Sequence, residues 1–401
     1  MNRKKIGVLT FHKSYNYGAF MQCYSFVLRL KRDFPETDIE VIDYSSKKSL
    51  DGYQEYLGKL KEKEAKRISI RNKEFENDWK YLPLSKSSIV GDDQEQFYKE
   101  FGNRYDIIIV GSDAVFNWNR IKLPNVYFLN GEHNAKKLSY AASCHGLDYR
   151  DMSDETKIYL KNALKDFSYI GVRDTSTEDL IGMVDEKLSF HHNCDPTTFL
   201  DVDALPVDIE SLKEKLQSRG VDFSKKLIGL MAGNHIGREI KKRYGKQMQI
   251  IALYEPNKYA DVFLYDLSPL EWAKVFSFFD IVVTHYFHGT MLALRNLKPV
   301  ISIEMKNSYT DKYTTKLEDL LTRLKLTEFY YVWDRNRMSF LDKALMKLGM
   351  KSDQIFWREV LKNMDYYLEN PPKNRIRLAL ENEEKNYQSF YISLRECINV
   401  E

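Results

Sequence analysis

Apolar runs of strand length alternate with stretches of helical spacing along this chain, in a series that occurs twice. Residues 6–11 open the first series as Ile-Gly-Val-Leu-Thr-Phe. A continuous apolar run of that length suits a parallel strand covered on both faces. Phe20, Met21, Tyr24, Val27, Leu28 and Leu30 then recur at spacings of three and four, which is the period of a helix with one buried face. Residues 39–43, 107–110, 138–142 and 169–172 supply further strands, and the charged stretch 59–80 reads as an exposed helix. The second series has strands at 227–231, 250–253, 281–283 and 300–303, with helices over 269–279 and 287–297. Alternating β and α elements imply an α/β fold with parallel sheets.

The turn-rich stretch 201–206, followed by the amphipathic 209–216, places a boundary near residue 205. The expected organisation is an N-terminal domain over 1–205, a C-terminal domain over 206–345 and a helical extension over 346–401, interrupted at Pro371-Pro372. Sheets of this kind bind ligands beyond the carboxyl ends of their strands, so the expected site is a cleft where two such crevices face each other.

Charge excludes some partners. The 401 residues carry 61 Lys plus Arg against 58 Asp plus Glu, a formal net charge of +3, too small to imply nucleic acid or a membrane surface by bulk electrostatics. No run of about 18 apolar residues occurs, so no membrane span is expected. Cys23, Cys144, Cys194 and Cys397 lie far apart without a CxxC pair, which suits reduced thiols in the cytoplasm. Neither GxGxxG nor GxxxxGK[ST] is present, nor GxSxG. His191-His192-Asn193-Cys194-Asp195 and His285-Tyr286-Phe287-His288 contain ligand types but match no zinc spacing, so no bound metal is expected.

Four segments at strand ends carry candidate chemistry. Asn16-Tyr17-Gly18-Ala19 stands between the first strand and the first helix, where a glycine admits close approach to the backbone; the competing reading is an Asn16 helix cap. Gly111-Ser112-Asp113 ends a buried strand, where a carboxylate can take a hydroxyl proton or hold a sugar, or simply cap the next turn. Arg173 follows the strand 169–172 and offers a fork for a carboxylate or phosphate, or else a salt bridge to Asp174 or Glu178. His288, between a strand and a helix start in Tyr286-Phe287-His288-Gly289-Thr290, can bind an anion or pass a proton.

Together with Ser139-Tyr140-Ala141-Ala142-Ser143, Asn117, Cys194-Asp195-Pro196-Thr197, Lys298-Pro299 and the segment 316–321, these pieces stand in an order that resembles the polysaccharide pyruvyl transferase family over residues 5–325. The resemblance implies two Rossmann-like domains, similar to the glycosyltransferase-B fold, and transfer of a pyruvyl group from phosphoenolpyruvate to a sugar hydroxyl with release of phosphate. It implies Arg173, His288, Gly289, Thr290 and Lys316 (with Lys306 as the alternative cation) on the donor side, and Asn16, Tyr17, Gly18, Gly111, Ser112, Asp113 and Asn117 on the acceptor side. His288 and Asp113 would be the catalytic acid and base. No cofactor is implied beyond phosphoenolpyruvate as co-substrate. The implied setting is capsule or exopolysaccharide synthesis in the cytoplasm, with access to lipid-linked acceptors at the inner face of the membrane. The sequence departs from the family pattern at Tyr286, Ala114 and Phe116, where many members carry Arg or Ser, Gln and Trp. A nucleotide-sugar glycosyltransferase and a non-catalytic sugar-binding relative are the competing functions.

Overall fold

The computed structural model describes residues 3–306, 310, 312–333 and 352–399. The chain divides into two units, Met1–Leu200 with Glu383–Glu401, and Asp201–Asn382. The expected 346–401 extension is therefore shared out: the helix Ser352–Glu369 belongs to the second unit, and the helix Lys373–Glu384 carries the chain back to the first. Pro371-Pro372 separates these two helices. Residues 346–351 lie outside the described residues.

The first unit holds β1 (Lys5–Leu9), β2 (Asp38–Ser45), β3 (Leu84–Val90), β4 (Ile107–Val110), β5 (Lys136–Ser139) and β6 (Phe167–Tyr169) in the order β3-β2-β1-β4-β5-β6. Every pairing is parallel. Two short strands, β7 (Gly171–Val172) and β8 (His191–His192), pair separately. The second unit repeats the scheme with β9 (Lys226–Met231), β10 (Met248–Leu253), β11 (Val262–Leu264), β12 (Ile281–Thr284), β13 (Val300–Met305) and β14 (Tyr330–Trp333), ordered β11-β10-β9-β12-β13-β14 and again all parallel.

Both orders are the Rossmann order 3-2-1-4-5-6. The strand order of each sheet reverses once, between β1 and β4 and between β9 and β12, which opens a crevice beyond the carboxyl ends of those strands. The central strands are fully buried, with Ile107, Ile108, Ile109 and Val110 all at 0% exposure. Caps fix where the flanking helices begin. Asn16 caps the helix Tyr17–Asp33, Asp174 caps Thr175–Val184, and Ser268 with Glu271 forms a capping box at Pro269–Val275.

Candidate active site

In the first unit, the site is built by a backbone device at the end of β4. Gly111 has φ +116°, and a Cβ on it would lie 2.3 Å from the Tyr140 carbonyl oxygen, so only glycine fits. Asp113 itself has φ +75°, a left-handed conformation that is strained for a side chain with a Cβ. Past this kink the chain resumes pairing: Asp113 bridges Ala142, Ala142 bridges Val172, and β7 pairs with β8. Ser143 N donates to Asp113 O at 2.9 Å, Arg173 N to Ala142 O at 3.1 Å, and Asn193 N to Val172 O at 2.7 Å.

This short second ladder gathers residues distant in sequence. Arg173, 6% exposed, donates from Nη1 to Asp195 Oδ2 at 3.0 Å, and its Nε lies 3.9 Å from Asp174 Oδ2. Burial pulls the guanidinium pKa down, but the charges of Asp195, Asp174 and Asp113 outweigh it and hold the group above its ordinary value. Asp195 also accepts from Gln22 Nε2 at 2.6 Å and from Thr197 N at 2.9 Å. Asp174 accepts from Ser143 Oγ at 2.5 Å and from the Thr177 amide and hydroxyl.

Several acceptor-side candidates have structural work of their own. Asn16 Oδ1 accepts from Gly18 N at 2.9 Å and Ala19 N at 3.3 Å, and the Tyr17 ring is buried with its centroid 4.5 Å from that of Phe75. Asn117 Nδ2 donates to His145 O at 2.9 Å while its Oδ1 accepts from Asn119 N at 3.0 Å. Asp113 Oδ1 accepts from Ala114 N at 2.7 Å. Ser112 is buried, and its carbonyl accepts from Thr10 Oγ1 at 3.0 Å, tying the β1 loop to the β4 loop. Phe116 stacks on Phe128 at 4.9 Å and Ala114 is buried, so both departures from the family pattern are core positions here.

In the second unit, the helix Phe287–Arg295 starts directly beyond β12 with Tyr286 at its cap. Gly289 is required by packing, because a Cβ there would sit 2.5 Å from Thr284 Oγ1 and 3.0 Å from Met231 Sδ. Thr290 Oγ1 is 2.7 Å from Ser302 Oγ on β13 and 3.3 Å from Tyr286 O. His288 is half-buried at the second position of the helix. Lys316 begins the helix Lys316–Arg323, and its Nζ stands 5.7 Å from the centroid of Phe287, the residue before His288. Gly289, Thr290, His288 and Lys316 are therefore brought together beyond β12 and β13. Lys306 follows β13 and spends its backbone N–H on Trp333 O at 3.3 Å.

Beside them stands a group that the sequence pattern leaves unassigned. Tyr286 Oη donates to Glu255 Oε1 at 2.8 Å, and His285 Nε2 lies 3.4 Å from the same oxygen. The His285 hydrogen bond draws the Glu255 pKa down against burial, with Tyr286 helping. Burial pushes Glu304 up, opposed by Thr315, Lys316 and His285. Asp195 enters the sequence pattern only as part of Cys194-Asp195-Pro196-Thr197 and Glu255 not at all, because their partners are far away along the chain. Among the described residues no His, Cys, Asp and Glu group could hold a metal ion, and no helix is long and apolar enough to cross a membrane.

The model for the family described as "Polysaccharide pyruvyl transferase" matches residues 16–307. No curated protein matches the chain significantly. Among solved structures, the UDP-GlcNAc 2-epimerase from Neisseria meningitidis is similar at 11% identity with a TM-score of 0.54, over 98% of this chain and 100% of that one. The UDP-GlcNAc 2-epimerase from Methanocaldococcus jannaschii is similar at 12% identity with a TM-score of 0.48, over 91% of this chain and 100% of that one. At such identities the likeness concerns the fold, which is α/β and glycosyltransferase-B-like, with two Rossmann-like units and a helical C-terminus. With more than half of its length matched to one family model, the chain belongs to the polysaccharide pyruvyl transferase family.

Proposed function

We propose that the protein transfers the pyruvyl group of phosphoenolpyruvate to hydroxyls of a sugar in a cell-surface polysaccharide precursor, forming a ketal and releasing phosphate. The observation that carries this reading is the position of Phe287, whose ring lies 5.0 Å from that of His288 and 5.7 Å from Lys316 Nζ: a histidine and a cation at one helix start beyond β12 suit a donor bearing a carboxylate and a phosphate. Membership in the family supports the same donor and acceptor classes.

The chemistry needs an acid and a base. Protonation of the methylene carbon C3 makes C2 electrophilic; a sugar hydroxyl oxygen adds to C2 and loses its proton; the bond from C2 to the phosphate oxygen then breaks. A second hydroxyl of the same sugar closes the ring of the ketal. The two hydroxyl protons balance the one gained at C3 and the one leaving with phosphate. His288 is assigned to the donor phosphate and to proton delivery, Asp113 to the acceptor hydroxyl. Lys316, Gly289 and Thr290 are assigned to the donor. Arg173 enters the donor side through the family resemblance; its pairing with Asp195 and Asp174 gives it a second duty, holding the Asp113 ladder in register. The assignment places the protein in the cytoplasm, with lipid-linked sugars as the acceptors reached at the membrane face.

Phosphate release from phosphoenolpyruvate, measured with and without galactose-, mannose- and glucosamine-type acceptors, tests the proposal. Acceptor-dependent release is expected. Turnover of nucleotide sugars with no such release would overturn it.

A further inference from the structure

The first unit contains a cavity of about 360 Å³ that none of the family motifs touches. It opens beyond the carboxyl ends of β1 and β2 and is bounded on its far side by the loop that follows Asp113. Its walls include the rings of Tyr15, Tyr44, Tyr53 and Tyr127, and two cations reach it, Lys13 and Arg120. Tyr15 and Tyr53 stack at 5.1 Å between centroids, and Tyr44 stands edge-on to Tyr127 at 6.1 Å.

The charge in this cavity is organised from below. His12, fully buried, places Nε2 3.0 Å from Asp43 Oδ1, and Lys13 Nζ donates to Asp43 Oδ2 at 2.7 Å. Asp43 is thus shared between His12 and Lys13, and its carboxylate does not reach Arg120. Arg120 is exposed and has no ion-pair partner among the described residues. Tyr127 links the cavity to the proposed acceptor base: burial and the nearby Tyr44 raise its hydroxyl pKa, and the charge of Asp113 adds to this. One wall is the helix Lys47–Gly58, which buries none of its residues.

Aromatic rings offer apolar faces to the C–H faces of a sugar, serine hydroxyls such as that of Ser49 meet its edge, and a guanidinium fork meets an anion. We propose, on the footing of the pyruvyl-transfer reading, that this cavity holds the acceptor as a sugar ring carrying an anionic group, a phosphate ester or a carboxylate, with the ring between Tyr53 and Tyr127 and the anion on Arg120. The cavity lies at the small end of ligand sites, where roughly 300 to 1,000 Å³ is usual, which suits a single substituted ring.

Calorimetric titration of the full-length protein with a sugar 1-phosphate, a uronic acid and a neutral methyl glycoside tests this, with uridine diphosphate as a control. The anionic sugars should bind at least about tenfold more tightly than the neutral one, a difference of about 1.4 kcal/mol. Whichever of phosphate and carboxylate binds better identifies the anion. Arg120→Gln should erase the preference, Tyr53→Ala should weaken both, and Tyr53→Phe, which keeps the ring, should bind like the parent. Equal affinity for neutral and charged sugars, unchanged binding in Arg120→Gln, or uridine diphosphate binding as tightly as the sugar 1-phosphate overturns the assignment. Phosphate release from phosphoenolpyruvate, followed in the same proteins, separates the two ideas. Sugar binding that follows the variants without any release sinks pyruvyl transfer and leaves the cavity; release with an unchanged acceptor KM in Arg120→Gln and Tyr53→Ala sinks the cavity and leaves pyruvyl transfer.

Discussion

Arg173 donates to Asp195 Oδ2 at 3.0 Å, and the two side chains are 6% and 1% exposed. Twenty-two positions apart in the chain, they are joined because β7 and β8 pair after the kinks at Gly111 and Ala141, which has φ +48°. A buried ion pair of this kind costs desolvation to form and more to break, since the remaining charge stays in a dry site with less to compensate it.

Removing one partner should therefore unfold the protein more easily than removing both. Asp195→Ala takes from the buried Arg173 its acceptor at 3.0 Å and also removes the carboxylate to which Gln22 and the Thr197 amide donate. A loss of about 3 kcal/mol or more is expected in urea denaturation, with the double variant Arg173→Met, Asp195→Leu losing less than the sum of the singles. Additive losses would show that the two side chains act independently.

His288 and Lys316 should separate by kinetic signature. His288→Ala is expected to lower kcat for phosphate release by a factor on the order of 10² to 10⁴, the usual contribution of a positioned acid or base. Lys316→Ala should instead raise KM for phosphoenolpyruvate, with Lys316→Arg restoring most of it. Unchanged kcat in His288→Ala at full structural integrity would remove the histidine from the chemistry.

Acid stability should depend on Asp43. Burial raises its pKa, but hydrogen bonds from His12 and Lys13 outweigh that and hold it at about 2. The folded value lies below the unfolded value of about 3.9, so the carboxylate stabilises the fold above pH ~4 and that contribution fades as pH falls toward ~2. Asp43→Asn should flatten the decline in denaturation midpoint between those limits. A decline as steep as in the parent would assign it to other carboxylates.

The parts of the fold legible in the sequence are those whose chemistry is local. Central strands such as Ile107–Val110 are apolar throughout because both faces are covered, and each appears where its run occurs. The strands that pattern alone does not mark, β3, β8, β11 and β14, are all sheet edges. β3 reads Leu-Ser-Lys-Ser-Ser-Ile-Val, with alternating burial, since an edge strand has water on one side and keeps polar residues. The run 138–142 is expected as one strand, but pairing stops at Ser139 and resumes at Ala142 around the positive φ of Ala141. At the site, a glycine between strand and helix is legible at 289, whereas the roles of Asp195, Asp43 and Glu255 are not. Their meaning rests on partners brought near by topology, such as Gln22, 173 positions from Asp195.

Gly289 gives the most direct test of how the His288 turn is built. Alanine there would push its Cβ to 2.5 Å from Thr284 Oγ1 and 3.0 Å from Met231 Sδ, at the seam between the helix and the ends of β9 and β12. Overpacking of this kind usually costs about 1 to 3 kcal/mol. The helix start would have to lift and displace His288, so Gly289→Ala should lose both stability and phosphoenolpyruvate affinity. Gly182 provides the control, because it also lies in a helix, Thr175–Val184, but a Cβ there meets nothing within 4 Å. Gly182→Ala should leave affinity intact and raise stability by about 0.4 to 1 kcal/mol through the unfolded chain. Thermal melts and donor titrations of the two variants decide the matter: a Gly289→Ala protein as stable and as tight-binding as the parent would mean that the His288 turn tolerates a side chain, and that its glycine is not set by this packing.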